Sequence, residues 1–222
     1  MKQKLSKGDS SLWEREWVTV ENLLRLSEIE LPSKGVVLDA GCGLKGLKDG
    51  AEARGLSYVG LDIEDLDFEI EKVSSIVSGA TIAFSLAVIE HLASPITYLR
   101  GLREALEPGA PLVLSTPNIT FARESFWDNP GHLHPYTAKS LHEVLDASGF
   151  RVHGLFPGLR GKPDWMVSGK NAMSLAANLP IRKNYVSGPL KYLSGRSTSI
   201  IAVASTRLVS GPRKSKSAGQ ID

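Results

Sequence analysis

The chain has one cysteine, Cys42, in 222 residues. No internal disulfide can form, which excludes a small secreted fold held by bridges and suits a reducing compartment. It also lacks any apolar run near the ~18–20 residues that span a bilayer. Its opening stretch, MKQKLSKGDSS, holds no apolar segment of signal-peptide type, so a cytoplasmic protein without membrane contact is expected. A charge excess is missing too. Lys and Arg number 26 against 24 Asp and Glu, a net +2, too weak a field to imply a nucleic-acid partner. What is present, 42% hydrophobic and 23% charged residues, suffices for one well-filled core, and the length is too short for two full domains.

Hydrophobic periodicity supplies the elements. Trp13, Trp17, Val20 and Leu24 recur at helical spacing, predicting a helix from Ser11 to about Glu28, capped by Ser10 or Ser11, with its tryptophan stripe in the core. Val36–Leu38, Leu56–Leu61, residues 80–88 and Pro111–Ser115 read as buried strands. Helices are expected over residues 47–54, from Ser94-Pro95 through Leu106, and from Thr137 through Ser148, which Gly149 stops. Residues 119–136 read as a long loop of the functional kind. Strands near Arg151–Phe156 and Ser199–Ala204, with a helical stretch at Asn171–Leu179 between them, complete the domain. This alternation predicts a single α/β domain with a doubly wound, mainly parallel sheet. Residues 1–33 form a helical N-terminal cap, residues 34–208 the ligand-binding domain, and residues 209–222 a disordered basic tail.

The first strand runs into Gly41-Cys42-Gly43-Leu44-Lys45-Gly46, which satisfies G-x-G-x-x-G, and Asp62 follows about 20 residues later, as in dinucleotide sites. Asp39, two residues before the first glycine, argues against a pyrophosphate, whose negative charge a neighbouring carboxylate would repel. A ligand bearing an ammonium and a sulfonium, such as S-adenosylmethionine, suits the same carboxylate. The glycines allow close approach to the backbone, and Asp62 can accept two ribose hydroxyls. Cys42 within this turn reads as a small packing residue, since no cation stands beside it to lower its pKa. Ligands of such sheets sit beyond the carboxyl ends of the strands, where Asp39, Asp62, Ser85 and Thr116 all fall.

Val36–Gly43 (VVLDAGCG) and Tyr58–Ile63 (YVGLDI) resemble the first two motifs of class I S-adenosylmethionine-dependent methyltransferases. Val88–Leu92 (VIEHL), Leu106–Gly109 (LEPG) and Leu112–Asn118 (LVLSTPN) are similar to the ubiquinone-biosynthesis O-methyltransferase branch, as are His134–Thr137 and Gly149-Phe150. The resemblance covers about residues 34–156. It implies a Rossmann-like methyltransferase fold and a cofactor held by Asp39, Gly41, Gly43, Asp62 and Ile63, with Ser85 lining its other side. Three departures stand out. Lys45 occupies the third glycine position, the segment between Asp62 and Val88 is short, and Thr81 stands where the family begins its strand with an acid. Within the shortened segment, Asp67 and Glu69 are the acids available to meet adenine.

Methyl transfer to oxygen or nitrogen is helped by a base that takes the acceptor's proton, a role suited to histidine. Of five histidines, His91 follows the strand at 80–88 beside Glu90, and His132 and His134 lie in the long loop over the same mouth. These four residues are the catalytic candidates. His142 falls on a helix surface and His153 on a strand. Ala87–His91 is also similar to the E-x-x-E-H metal pattern of small-RNA 3′-end 2′-O-methyltransferases, but Ala87 replaces the first glutamate. Losing a carboxylate weakens a hard-cation site, so no metal is expected. The reading is a methyltransferase using S-adenosylmethionine on oxygen or nitrogen of a small molecule, lipid or sugar precursor. Its alternatives are a non-catalytic binding protein of the same fold, a metal-dependent RNA 2′-O-methyltransferase, and an NAD-dependent oxidoreductase.

Overall fold

A computed structural model describes residues 10–158 and 197–207, with side chains from Trp17 onward. Helix α1 spans Ser10–Leu26. Its apolar stripe buries Trp17, Val20, Leu23 and Leu24. The Trp17 indole N–H donates to the Leu47 carbonyl at 3.0 Å, and its ring meets Phe84 edge-on at 5.2 Å. Trp17 is therefore core. It also explains the glycine within α2 (Lys48–Ala53), because a Cβ at Gly50 would lie 2.2 Å from the Trp17 ring.

Among the described residues, six strands form one sheet in the order β2-β1-β3-β4-β6-β5. The parallel part is β1 (Val36–Ala40), β2 (Ser57–Leu61), β3 (Ile82–Leu86) and β4 (Pro111–Pro117). Strand β6 (Ser199–Thr206) enters antiparallel between β4 and β5 (Phe150–Pro157). Successive strand residues point to opposite faces, and both faces are covered. Leu38, Ala83 and Leu112 pack with Leu99 and Leu102 of α3 (Pro95–Ala105) and with Leu141 and Leu145 of α5 (Ala138–Ala147). Val37, Ile82 and Val113 pack on the other face with Trp17, Leu24 and Ala51. The doubly wound architecture is as expected, with one strand reversed.

Local chemistry differs from expectation in three places. Residues 119–136 are not a continuous loop. Asn118 accepts the Thr120 N–H at 3.2 Å and starts a short helix, α4 (Ile119–Ala122), and a 3₁₀ segment follows over Arg123–Asp128. Ser94 makes no side-chain cap for α3. The carboxylate of Glu69 instead accepts the N–H groups of Ala93 and Ser94 at 2.5 and 3.2 Å, just ahead of Pro95. Glu69, an adenine-contact candidate in the sequence, thus belongs to the α3 terminus. The segment from Asp62 to Ile82 carries only a 3₁₀ turn at Val73–Ser75, leaving β2 at the sheet edge among the described residues. Thr137 caps α5 as expected, through a reciprocal box with Ser140, and Gly149 takes the left-handed φ of +92° that ends it. The expected helix at Asn171–Leu179 and the tail from Ser210 lie outside the described residues. No helix among the described residues is long and apolar enough to cross a membrane.

Candidate functional site

The carboxyl ends of β1 and β2 build a cradle. Gly41 and Gly43 have φ of +82° and +49°, and Lys45, standing for the family's third glycine, holds the same left-handed backbone at +58° with its side chain exposed. The turn is tied to β2 by the Gly41 and Cys42 N–H groups, which donate to the Leu61 carbonyl at 2.7 and 3.1 Å. Asp62 secures it further. One carboxylate oxygen accepts the Gly43 N–H at 2.6 Å and the other the Ile63 N–H at 2.7 Å. Leu44 and Ile63, 69% and 67% exposed, flank the turn. A Cβ added at Gly43 would meet nothing within 4 Å, so the backbone there faces open space.

Asp39 lies behind this turn, 4% exposed. The Tyr58 hydroxyl donates to its carboxylate at 2.6 Å. Burial pushes the Asp39 carboxyl up to about 6, opposed by the Tyr58 hydrogen bond and reinforced by the charge of Asp62. Cys42 is driven to about 11 by burial and then by Asp39 and Asp62, consistent with a packing role rather than a nucleophilic one. A buried carboxylate, a second acid at the end of β2, an open glycine face and apolar flanks suit S-adenosylmethionine, with its cationic amino acid end, ribose and adenine. Two carboxylates beside the turn oppose a pyrophosphate.

The next segment is packed directly on the cradle. A Cβ at Gly41 would lie 2.2 Å from the Val88 side chain, so the glycine turn rests on the chain leaving β3. That chain forms a 3₁₀ turn, Ile89–His91, with Glu90 buried at its centre. Thr116 of β4 donates its hydroxyl to Glu90 at 3.0 Å. Burial raises the Glu90 pKa against the opposing pull of hydrogen bonds and of His91 and His132. The His91 Nδ1 lies 2.9 Å from the Gly131 carbonyl and the His132 Nδ1 2.7 Å from the Phe126 carbonyl. A carbonyl only accepts, so each Nδ1 carries the proton, and in the neutral rings each Nε2 keeps its lone pair. The two rings stand 4.8 Å apart.

Glu90, His91 and His132 each offer a ligand atom within 4.8 Å of the other two, an arrangement able to hold a metal ion. Three of the four catalytic candidates thus come together. The fourth, His134, is outside the cluster. Its Nε2 lies 3.4 Å from the Ala93 carbonyl, while its N–H donates to the Glu90 carbonyl at 3.1 Å. Ser85 departs from expectation, being fully buried and hydrogen-bonded to the Tyr98 hydroxyl at 2.8 Å. Its side chain belongs to the core between β3 and α3 rather than to the cofactor face. Sequence reasoning missed Tyr58, Thr116 as the partner of Glu90, and Tyr136, whose buried hydroxyl has no partner among the described residues and is raised to about 12 by burial and Glu90. Tyr58 alone was discoverable, since it stands on the same strand face as Asp62.

Residues 14–155 match the family model described as a methyltransferase domain. The ubiquinone biosynthesis O-methyltransferase of Cereibacter sphaeroides is 31% identical over 108 residues, covering 40% of this chain and 44% of that protein. The malonyl-[acyl-carrier protein] O-methyltransferase of Brevibacillus brevis is 36% identical over 116 residues, 50% of this chain and 36% of that protein. The chain spans less than half the length of these curated relatives. Among solved structures, an S-adenosylmethionine-dependent methyltransferase from Archaeoglobus fulgidus superposes with a TM-score of 0.57 at 18% identity, covering 86% of this chain and 94% of that one. One from Mesorhizobium loti gives 0.57 at 17% identity, covering 86% and 99%. The chain belongs to the methyltransferase-domain family and has the Rossmann-like fold of S-adenosylmethionine-dependent methyltransferases.

Proposed function

We propose that the protein transfers the methyl group of S-adenosylmethionine to an oxygen or nitrogen of a small molecule, lipid or sugar precursor. The observation that carries this reading is the contact of Gly41 with Val88, which sets the glycine cradle against the Glu90–His91–His132 cluster. Both curated relatives are named O-methyltransferases, which favours oxygen.

The cofactor supplies an activated methyl group on a sulfonium. Asp39 and the turn would hold its cationic end, and Asp62 would receive the ribose hydroxyls through the lone pairs its backbone bonds leave free. As the acceptor's oxygen or nitrogen takes the methyl group and the carbon–sulfur bond breaks to leave the neutral thioether, the acceptor's proton would pass to the Nε2 of His132 or His91. Glu90 beside them stabilises the resulting imidazolium, and the carbonyls of Gly131 and Phe126 keep each ring aimed. Alignment supplies most of the remaining acceleration.

The test begins with labelled methyl groups supplied to metabolite fractions, followed by single-turnover transfer to the acceptor found. His132→Ala or His91→Ala is expected to lower turnover by roughly 10²–10⁴-fold with cofactor affinity unchanged. Normal turnover in both variants would remove the histidines from the mechanism. A second reading rests on the same cluster: two imidazoles and one carboxylate with paired second nitrogens are also a metal-ligand set. Activity abolished by a chelator and restored by a divalent ion would select that reading, and activity indifferent to chelation would select the base.

A further inference from the structure

Tyr58 opens the second cofactor motif but is not among the residues expected to hold the cofactor, yet its position is tightly specified. Asp39 pairs with Gly60 across β1 and β2. Tyr58 precedes Gly60 by two residues, on the same face of the sheet. To reach Asp39 its ring must pass over Gly60. A Cβ at position 60 would lie 2.9 Å from the Tyr58 Cε1, the Tyr58 hydroxyl and the Cys42 sulfur alike. The hydroxyl ends 2.6 Å from an Asp39 carboxylate oxygen, in a spot where only 4% of Asp39 reaches solvent. Three residues on two strands therefore cooperate in one contact: a tyrosine long enough, a glycine that leaves room, and an acid with little water of its own.

We propose that Tyr58 is a positioning residue for the cofactor, whose hydroxyl orients the Asp39 carboxylate and keeps it ionised to receive the cofactor's cationic amino acid end. The proposal rests on the methyltransferase reading and deepens it. Other groups around Asp39 do not replace this donor. Asp62, at the end of β2, adds negative charge that disfavours ionisation. Cys42, in the turn, feels Asp39, Asp62 and Asp65 as repulsive charges and Lys45 as an attractive one. Tyr98, on α3, feels the Asp39 charge, but its hydroxyl is paired with Ser85. A hydrogen bond to a charged group in a poorly hydrated place is the strong kind. Burial pushes the Asp39 carboxyl up to about 6 and the Tyr58 hydrogen bond opposes that rise, so losing this donor lowers the share of carboxylate near neutral pH.

The experiment measures the affinity for S-adenosylhomocysteine from pH 5 to 8.5 by calorimetry, in the parent and in Tyr58→Phe, which keeps the ring over Gly60. In the parent, affinity is expected to fall as pH drops through about 6. In the variant the midpoint moves up by about one unit, so affinity weakens about twofold at pH 7 and roughly tenfold at pH 5. The carboxyl-carbon resonance of Asp39, followed without ligand, should show the same upward move. Superimposable profiles would overturn the proposal. Tighter binding by Tyr58→Phe would overturn it as well, by making the tyrosine a competitor for Asp39. If that variant fails to fold, 3-fluorotyrosine at position 58, a stronger donor, should lower the Asp39 midpoint, and an unchanged midpoint would again overturn it. Absence of binding by the parent at every pH would instead defeat the methyltransferase reading on which the proposal stands.

Discussion

Ionising Asp39 in the folded chain places a charge where 4% of the residue reaches water, with Tyr58 as its one hydrogen-bonding side chain among the described residues. The folded carboxyl titrates at about 6, against 3.8 for the free side chain. A folded value raised above the unfolded one means that this group's contribution to stability is fully present below pH 3.8 and is lost as pH rises through about 6. The loss above that window is at most about 3 kcal/mol. Asparagine cannot ionise and still accepts from Tyr58. Asp39→Asn is therefore expected to be more stable than the parent at pH 7.5, with the advantage vanishing below pH 4, while its affinity for S-adenosylhomocysteine falls. Urea unfolding at the two pH values checks this. A variant less stable at pH 7.5 would mean that Tyr58 and the turn already compensate the charge. An acid kept at a destabilising position fits a group retained for binding.

At the scale of elements, Glu69 separates two roles that the sequence alone left open. As an adenine contact, its removal would weaken cofactor binding. Its carboxylate is instead bonded to the N–H groups of Ala93 and Ser94 ahead of α3, where the helix dipole also favours a negative charge. Glu69→Ala is thus expected to lower stability by about 1 kcal/mol, the usual worth of a helix-terminus partner, and to leave S-adenosylhomocysteine affinity unchanged. Thermal melting and calorimetry on the same variant read both quantities, and weakened binding at full stability would restore the adenine role. Ser94-Pro95 advertised the helix correctly, but the group that completes its terminus is 24 residues away from Ala93 in sequence. Local pattern cannot carry such a partner. The same limit hid α4, because a helix of four residues has too little periodicity to register. Ser85 shows a third limit. Four of the five residues of β3 are buried, so both faces read as apolar, and nothing in the run tells which face lies toward the ligand.

For the whole molecule, the parallel strands were readable because each is a short apolar run, and the acids at their carboxyl ends because β1 and β2 are closed by Gly41 and Asp62. The reversal of β6 was not. An antiparallel strand between two neighbours carries the same buried pattern as a parallel one, and its direction is set by the connection that precedes it. The candidate site was readable to the extent that its parts stand at strand ends. The pairing of His91 with His132 depends instead on a fold-back that brings Gly131 and Phe126 to the two rings. The cofactor end can be tested globally, since a ligand that binds only the folded chain shifts its unfolding by mass action. At one hundred times its dissociation constant, S-adenosylhomocysteine should add about 2.7 kcal/mol. For a chain of this length that is a rise of roughly 5–11 °C in Tm. NAD at the same concentration should produce no shift, because Asp39 and Asp62 flank the turn where its pyrophosphate would lie. Melting curves with each ligand decide the matter. A rise with NAD and none with S-adenosylhomocysteine would assign the glycine cradle to a dinucleotide and withdraw the methyl-transfer chemistry built upon it.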